Sequence, residues 1–276
     1  MLRVGFIGAG KTGVALGKYL GLNGQTLSGY LSKNFKYAKE AAVFTDSKTY
    51  ESLASFLADT DLVFITTPDD QIKGVWQALK KHSLTGKLVA HTSGSLASEI
   101  FEGIEAMGGY GYSLHPFMAI NDKYTGHKRL KVATFTLEGH PDKLALMKGL
   151  LPPHQKLNII DGKNKALYHA SAVFASNFTV ALAHISDSML KHIGIHDTDT
   201  VLNIMENTIV NLKTSGIVKG LTGPVERGDS ETIARHMAHL SGQELAIYAA
   251  MSKDLLTIAQ EKNTQRDYHA VKKLLE

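Results

Sequence analysis

Cysteine is absent from this 276-residue chain. That excludes disulfides, thiolate catalysis and cysteine-ligated zinc, and makes a cytoplasmic protein the simplest expectation. Charge of one sign is nowhere concentrated. The net charge is +4 and the pI near 9.0, but the lysines are scattered and no basic block interleaved with aromatics occurs. The expectation is a modest pull on anionic small molecules and no nucleic-acid footprint. No apolar run reads as long enough to span a bilayer, so no transmembrane helix and no membrane partner is expected. A strand pattern begins at Leu2, which leaves no room for a signal peptide. Internal repeats and low-complexity segments are lacking too. No third ligand stands near His236 and His239, so a solvated helix face is expected there and no metal site. What remains is a chain 43% hydrophobic, long enough for one large domain or two ordinary ones.

The most informative stretch is the first. Leu2 to Ile7 reads as a short buried strand, Gly8-Ala9-Gly10-Lys11-Thr12-Gly13 follows, and Val14, Ala15, Leu16, Tyr19 and Leu20 give a helical apolar pattern. G-x-G-x-x-G between a strand and a helix points to dinucleotide binding. Gly8 permits the tight turn, Gly10 lets a pyrophosphate approach the backbone, and Gly13 lets the helix pack on the strand. The helix N-terminus then faces the anion.

Thr26 to Leu31 reads as the second strand. A carboxylate after it would accept from the ribose 2′-OH of NAD. Ser32-Lys33-Asn34 stands there instead, a set able to donate to a 2′-phosphate, so NADP is expected over NAD. A helix over 35–42, a strand at Val43-Phe44, a helix over 50–57 and a buried strand over 61–66 follow. Thr66, Thr67 and Pro68 at its carboxyl end should lie along the cofactor, while Asp69 and Asp70 read as caps of the next helix. The strand over 87–92 ends at Ser93, a candidate for the nicotinamide or substrate edge; Ser95 reads as the cap of a helix reaching Ile104. His115 follows a strand over 110–114 and could reach the crevice. Strands over 132–137 and 156–160 flank a helix ended by Pro152-Pro153. The first domain, 1–161, closes there.

From residue 162 to 276 the pattern is helical throughout. Lys163 to Ile193 reads as one long helix with an apolar stripe at three- and four-residue steps. Lys165 and His169, four apart, share a face near its start; Ser176 falls near that face and Asn177 about 80° round from His169. They could bind and protonate a substrate. The punctuated loop Thr222-Gly223-Pro224 to Arg227-Gly228-Asp229 offers Arg227 as a bidentate grip on a carboxylate or phosphate.

The arrangement resembles a bacterial family of Rossmann-like oxidoreductases joined to an all-helical C-terminal domain of unknown function. The matching features are Gly8-Ala9-Gly10-Lys11-Thr12-Gly13, Thr67-Pro68-Asp69, His91-Thr92-Ser93-Gly94 and His115-Pro116, then Lys165-Ala166-Leu167-Tyr168-His169 with Ser176-Asn177, and Thr222-Gly223-Pro224 with Arg227-Gly228-Asp229. More distantly the chain is similar to pyrroline-5-carboxylate reductase, deazaflavin-dependent NADP reductase, ketopantoate reductase and the 3-hydroxyacid dehydrogenases. The resemblance implies an α/β fold: an N-terminal Rossmann-type, doubly wound, mainly parallel sheet, then an all-α domain like that of 6-phosphogluconate dehydrogenase. It also implies a homodimer through the helical domain, with Lys165 and Asn177 beside the nicotinamide. The glycine-rich lead-in of the hydroxyacid dehydrogenases and the hydroxyl-rich loop of pyrroline-5-carboxylate reductase are missing, so neither activity is carried over.

Two functions follow as expectations. The first is an NADP-dependent oxidoreductase passing hydride between nicotinamide and a small, acidic carbonyl, imine or hydroxy substrate at the interdomain cleft. Lys165 or His169 would be the acid/base, His115, Ser93 and Asn177 would position the reacting atoms, and Arg227 would hold an acidic group. The alternative is an NADP-binding sensor or scaffold without turnover.

Overall fold

The computed structural model describes residues 2–276. Its strands are β1 (Arg3–Ile7), β2 (Thr26–Leu31), β3 (Lys48–Tyr50), β4 (Leu62–Ile65), β5 (Leu88–His91), β6 (Tyr110–Pro116), β7 (Phe135–Gly139) and β8 (Leu157–Ile159). They form one eight-stranded sheet in the order β3-β2-β1-β4-β5-β6-β7-β8. Every pairing is parallel except β6 with β7. The fold is therefore the expected doubly wound sheet followed by helices. Strand order reverses between β1 and β4, and ligands of such sheets bind beyond the carboxyl ends of the strands at that point.

Alternation along each strand feeds two cores. Val4 and Phe6, Leu62 and Phe64, and Leu88 and Ala90 join one cluster with Leu16 and Tyr112. Ile7, Val63, Ile65 and Val89 join the other with Trp76 and Phe101. A period of two in a parallel sheet buried on both faces produces this division.

Around the sheet lie α1 (Lys11–Leu22), α2 (Phe35–Thr45), α3 (Leu53–Asp59), α4 (Asp69–Leu79), α5 (Gly126–Leu130) and α6 (Leu144–Lys148). Two expectations fail here. Val43-Phe44 is not a strand but the last turn of α2. The buried row Ala38, Ala41, Ala42 and Thr45 continues through it and leaves Val43 exposed. The third strand comes later, where Tyr50 is buried edge-on to Phe56. No α-helix runs from Ser95 to Ile104; one short 3-10 turn, Ser98–Phe101, stands there instead, and a second, Glu105–Met107, follows. Side chains take the amides a helix would need: Ser93 Oγ accepts from the N–H of Ser95 and Leu96, and Glu138 from the N–H of Ser98.

The chain then continues as α7 (Lys165–Ala175), α8 (Asn177–His192), α9 (Asp199–Gly220), α10 (Pro224–Arg227), α11 (Ser230–Ala238), α12 (Gly242–Lys262) and α13 (His269–Leu275). The expected single helix over 163–193 is thus two, parted at Ser176 (φ −123°, ψ −64°), whose hydroxyl donates to the carbonyl of Ala172. Gly216 likewise interrupts α9 with φ 79°. By length and composition Gly162–His192 is apolar enough to cross a membrane, with mean hydropathy 1.2 in a window none of which is buried. That corrects the expectation from uninterrupted runs. Lys165, His169 and His184 interrupt the apolar residues, so the segment passes only as an average. A helix that packs on protein has the same composition.

Two compact units result, one running to Asn177 and the other from Phe178 to Glu276. Lys165 and all of α7 thus fold with the sheet. In the second unit, Val225, Ile233, Leu256, Ala259, Tyr268 and Val271 form the core. Tyr268 anchors it, donating to the carbonyl of Glu226 at 2.7 Å.

Candidate active site

The turn after β1 is built as its glycines require. Gly8 has φ 109°, a conformation only glycine adopts freely. Gly13 abuts Thr66, whose hydroxyl donates to the Gly8 carbonyl at 3.0 Å; a β-carbon there would collide with that hydroxyl. Gly10 is the N-cap of α1. No side chain caps that helix, and no acidic residue stands in its first turn. Its leading N–H groups and the positive end of its dipole are left for an anion.

A cleft of about 720 Å³ opens over this turn. Gly8, Ala9, Gly10 and Lys11 line one part, Ser32 and Lys33 another, and Thr66, Thr67 and Pro68 a third. These are the residues expected along a dinucleotide. Thr12 and Gly13 do not line the cleft; Gly13 serves the packing behind it. Tyr37, Gln71, Val75 and Lys123 do, unforeseen. Gln71 and Val75 lie four apart on α4, a spacing legible in the sequence. Lys123 is far in sequence from every other cleft residue and left no signal.

The cleft fits a dinucleotide phosphate. Its lining carries the ammonium groups of Lys11, Lys33 and Lys123 and no carboxylate. Thr67 Oγ1, within that lining, is buried without a hydrogen-bond partner, so a polar ligand atom could satisfy it. The wall of Gly10 is open, since an added β-carbon would meet nothing nearer than the Thr66 carbonyl at 3.9 Å.

Ser93 lies outside the cleft, in a second cluster on the same unit. Register aligns its neighbours: His91 of β5 pairs with Ser113 of β6, which pairs with Glu138 of β7. Into this row α7 sends Lys165, the charged side chain most completely buried in the chain at 1% exposure. Its Nζ donates to the Ser93 carbonyl at 2.8 Å and to Ser113 Oγ at 2.7 Å. Burial lowers its pKa to about 8, against the pull of Glu138 and Asp69. The amine can therefore gain or lose a proton near neutrality.

Histidines complete the cluster. His115 Nδ1 meets Tyr168 Oη at 2.8 Å, and its ring lies 6.3 Å from that of His169. Both rings close on Gly94, where a β-carbon would stand 2.5 Å from His169 Cδ2 and 3.0 Å from His115 Nε2. Burial, then the charge of Lys165, push the pKa of His115 down to about 3. It is neutral at physiological pH and suits positioning better than proton donation. His91, fully buried, receives the Ser93 N–H at Nδ1 and donates from Nε2 to the Ala97 carbonyl, which fixes the loop that holds Lys165. Burial lowers its pKa to about 4.

Asp69 is not the cap the sequence leads one to expect. The N-cap of α4 is Pro68, and the Asp69 carboxylate instead accepts from Ser93 Oγ at 2.6 Å and Ser95 Oγ at 3.2 Å. That leaves the Ser93 hydroxyl with its proton committed. Asn177, expected beside the lysine, is exposed and accepts from its neighbour Ser176. Arg227 belongs to the helical unit, exposed and 3.7 Å from Asp229. The structure therefore brings Lys165, His169, His115 and Ser93 together within the first unit; Asn177 hydrogen-bonds to Ser176, and Arg227 lies on the second unit.

The Rossmann-like domain family matches residues 1–116, and a domain of unknown function, DUF2520, matches residues 133–255. A protein of Thermotoga maritima is 28% identical over 94% of this chain and 99% of its own, with a TM-score of 0.76. A Bacteroides fragilis protein assigned as an NADP oxidoreductase is 21% identical over 93% and 98%, with a TM-score of 0.71. A reductive aminase of Aspergillus terreus, in complex with NADPH and ethyl-5-oxohexanoate, is 14% identical over 100% and 91%, with a TM-score of 0.62. No curated protein matches.

Proposed function

We propose that this chain, a Rossmann-like domain followed by a DUF2520 domain, is an NADP-dependent oxidoreductase acting on a small, acidic carbonyl, imine or hydroxy compound. The observation that carries the reading is a buried lysine of lowered pKa on the same compact unit as a carboxylate-free, three-lysine cleft over a G-x-G-x-x-G turn. A binding scaffold has no need of the first feature, so turnover is favoured over a sensor without chemistry. The Bacteroides and Aspergillus structures, with NADP named for one and NADPH for the other, support the choice of cofactor.

Gly10 and Lys11 would hold the pyrophosphate, Ser32 and Lys33 the 2′-phosphate, and Thr66, Thr67 and Pro68 the body of the dinucleotide. The bound nicotinamide supplies the hydride chemistry. The protein's part is orientation and protons. Lys165 Nζ holds a proton below about pH 8 and, charged, donates it to a carbonyl oxygen or imine nitrogen as that atom gains electrons. For oxidation the neutral amine takes it back. Ser113 Oγ and the Ser93 carbonyl aim the ammonium, and His169 and His115 wall the position where the substrate would sit.

Saturable oxidation of NADPH with a ketoacid or imine from a panel tests the proposal; none across such a panel rejects it. The cofactor assignment has its own test. Lys33→Asp is expected to weaken NADPH binding by roughly tenfold or more, since a lost charge-assisted hydrogen bond is worth about 1.5–3 kcal/mol and a carboxylate adds repulsion. NADH binding should hold or improve. Equal effects on both would remove Lys33 from 2′-phosphate recognition.

A homodimer through the helical unit is part of the same reading. Val180, Leu202, Ile204 and Ile217 stand half or more exposed on α8 and α9, apolar surface that a second copy would cover. Light scattering at the mass of one chain would reject it. A cytoplasmic location agrees with the absence of cysteine.

A further inference from the structure

The segment between β6 and α5 crosses to the cleft and ends in a fixed cation. Asp122 caps its turn, accepting at Oδ1 from the N–H of Tyr124 and of Thr125 and from the Thr125 hydroxyl. Tyr124 then packs edge-on to Phe44 of α2 at 5.1 Å. Between these anchors the Lys123 ammonium lies over two rings, 4.7 Å from the centre of Tyr124 and 5.3 Å from that of Tyr37. Its Nζ donates to Glu40 Oε2 at 2.9 Å, and Tyr124 donates to the same oxygen. These contacts raise the pKa of Lys123, so it keeps its charge.

Three points give this lysine a ligand. It lines the cleft, whereas its partner Glu40 does not. It touches Tyr37, which stands in the first turn of α2 just after Ser32-Lys33-Asn34, and so belongs to the Lys33 end of the cleft. An ammonium has three donors; Glu40 and Tyr124 engage two, which leaves one for a ligand. An unsupported surface lysine would have to be ordered on binding; this one is already held.

We propose that Lys123, tethered by Glu40, is a second reader of the cofactor's 2′-phosphate, gripping it together with Lys33. The inference rests on the NADP reading above and extends it to a residue distant in sequence from the β2 turn. The cation that completes phosphate selectivity comes from the β6–α5 segment, not from the β2 turn, and Glu40 sets its position.

Fluorescence titration of the full chain tests this with NADPH, NADH, adenosine 2′,5′-bisphosphate and AMP, for the parent, Lys123→Met and Glu40→Gln. Lys123→Met should weaken NADPH and the bisphosphate by roughly tenfold, the value of one charge-assisted hydrogen bond, and leave NADH and AMP unchanged. Glu40→Gln should weaken the same two ligands by a smaller factor, since the cation stays but loses its tether. Equal losses for NADPH and NADH, or no loss for either, would overturn the assignment while leaving the NADP reading intact. A parent protein that binds neither dinucleotide would overturn both. Thermal melts check that each variant is folded; Lys123 and Glu40 both reach solvent, so neither substitution opens a core.

Discussion

Lys165→Met is expected to lower turnover by roughly 10²- to 10⁴-fold, the usual worth of a positioned acid/base, with NADPH affinity nearly unchanged. Methionine keeps the length of the side chain and removes a buried charge, so the fold should survive. The parent should show the lysine in its pH profile. Reduction, which consumes the ammonium proton, falls as pH rises through about 8, and oxidation, which needs the free amine, rises over the same range. Both inflections should vanish in the variant. Stability carries the same signature. An unfolded chain keeps its lysine protonated to about 10.5, so between 8 and 10.5 unfolding takes up a proton, and stability climbs with pH across that window. Urea denaturation at steps from pH 8 to pH 10.5 measures it. A variant as active as its parent, or a parent without the inflection, would remove Lys165 from proton transfer.

Gly10→Val should weaken NADPH binding by roughly 100-fold, about 2.7 kcal/mol, while costing the free protein little. The position has φ −81° and ψ −175°, an extended conformation any residue adopts. An added β-carbon would meet only the Thr66 carbonyl at 3.9 Å. Valine is a poorer N-cap than glycine, worth about 1 kcal/mol. The side chain would occupy the space where phosphate oxygens meet the first N–H groups of α1. Gly13→Val is the contrast: its β-carbon collides with Thr66 Oγ1, so this variant should lose stability as well as binding. Calorimetric titration beside thermal melting separates the two. If Gly10→Val binds NADPH normally, the pyrophosphate does not sit on this turn.

Residues contiguous with a strand end were readable from the sequence; residues that reach a site through space were not. Gly8 to Lys11, Ser32-Lys33 and Thr66 to Pro68 line the cleft because each follows a parallel strand, and parallel strands end on one edge. Lys165 was legible as a polar residue at the start of a helix, but not its burial, which depends on the register of His91, Ser113 and Glu138. Asp69 has the local pattern of a cap, and local sequence cannot show that a serine 24 residues away donates to its carboxylate. Asn177, about 80° round from His169 on an ideal helix, follows the break at Ser176, which an unbroken helical period does not show. Lys123 is the extreme case, 83 residues from its carboxylate partner.

The two imidazoles kept neutral beside Lys165 have a cost in acid. Free histidine protonates near 6.5, whereas His91 and His115 resist down to about 4 and about 3. Below pH 6.5 the unfolded chain therefore binds protons that the folded one refuses, and the balance tips toward unfolding with each step down. The first unit should soften under mild acidity, above the range where its surface carboxylates titrate. Its melting temperature, followed from neutrality to pH 4, should fall steadily, and the loop carrying Ser93 should be first to give up its amide protons to exchange.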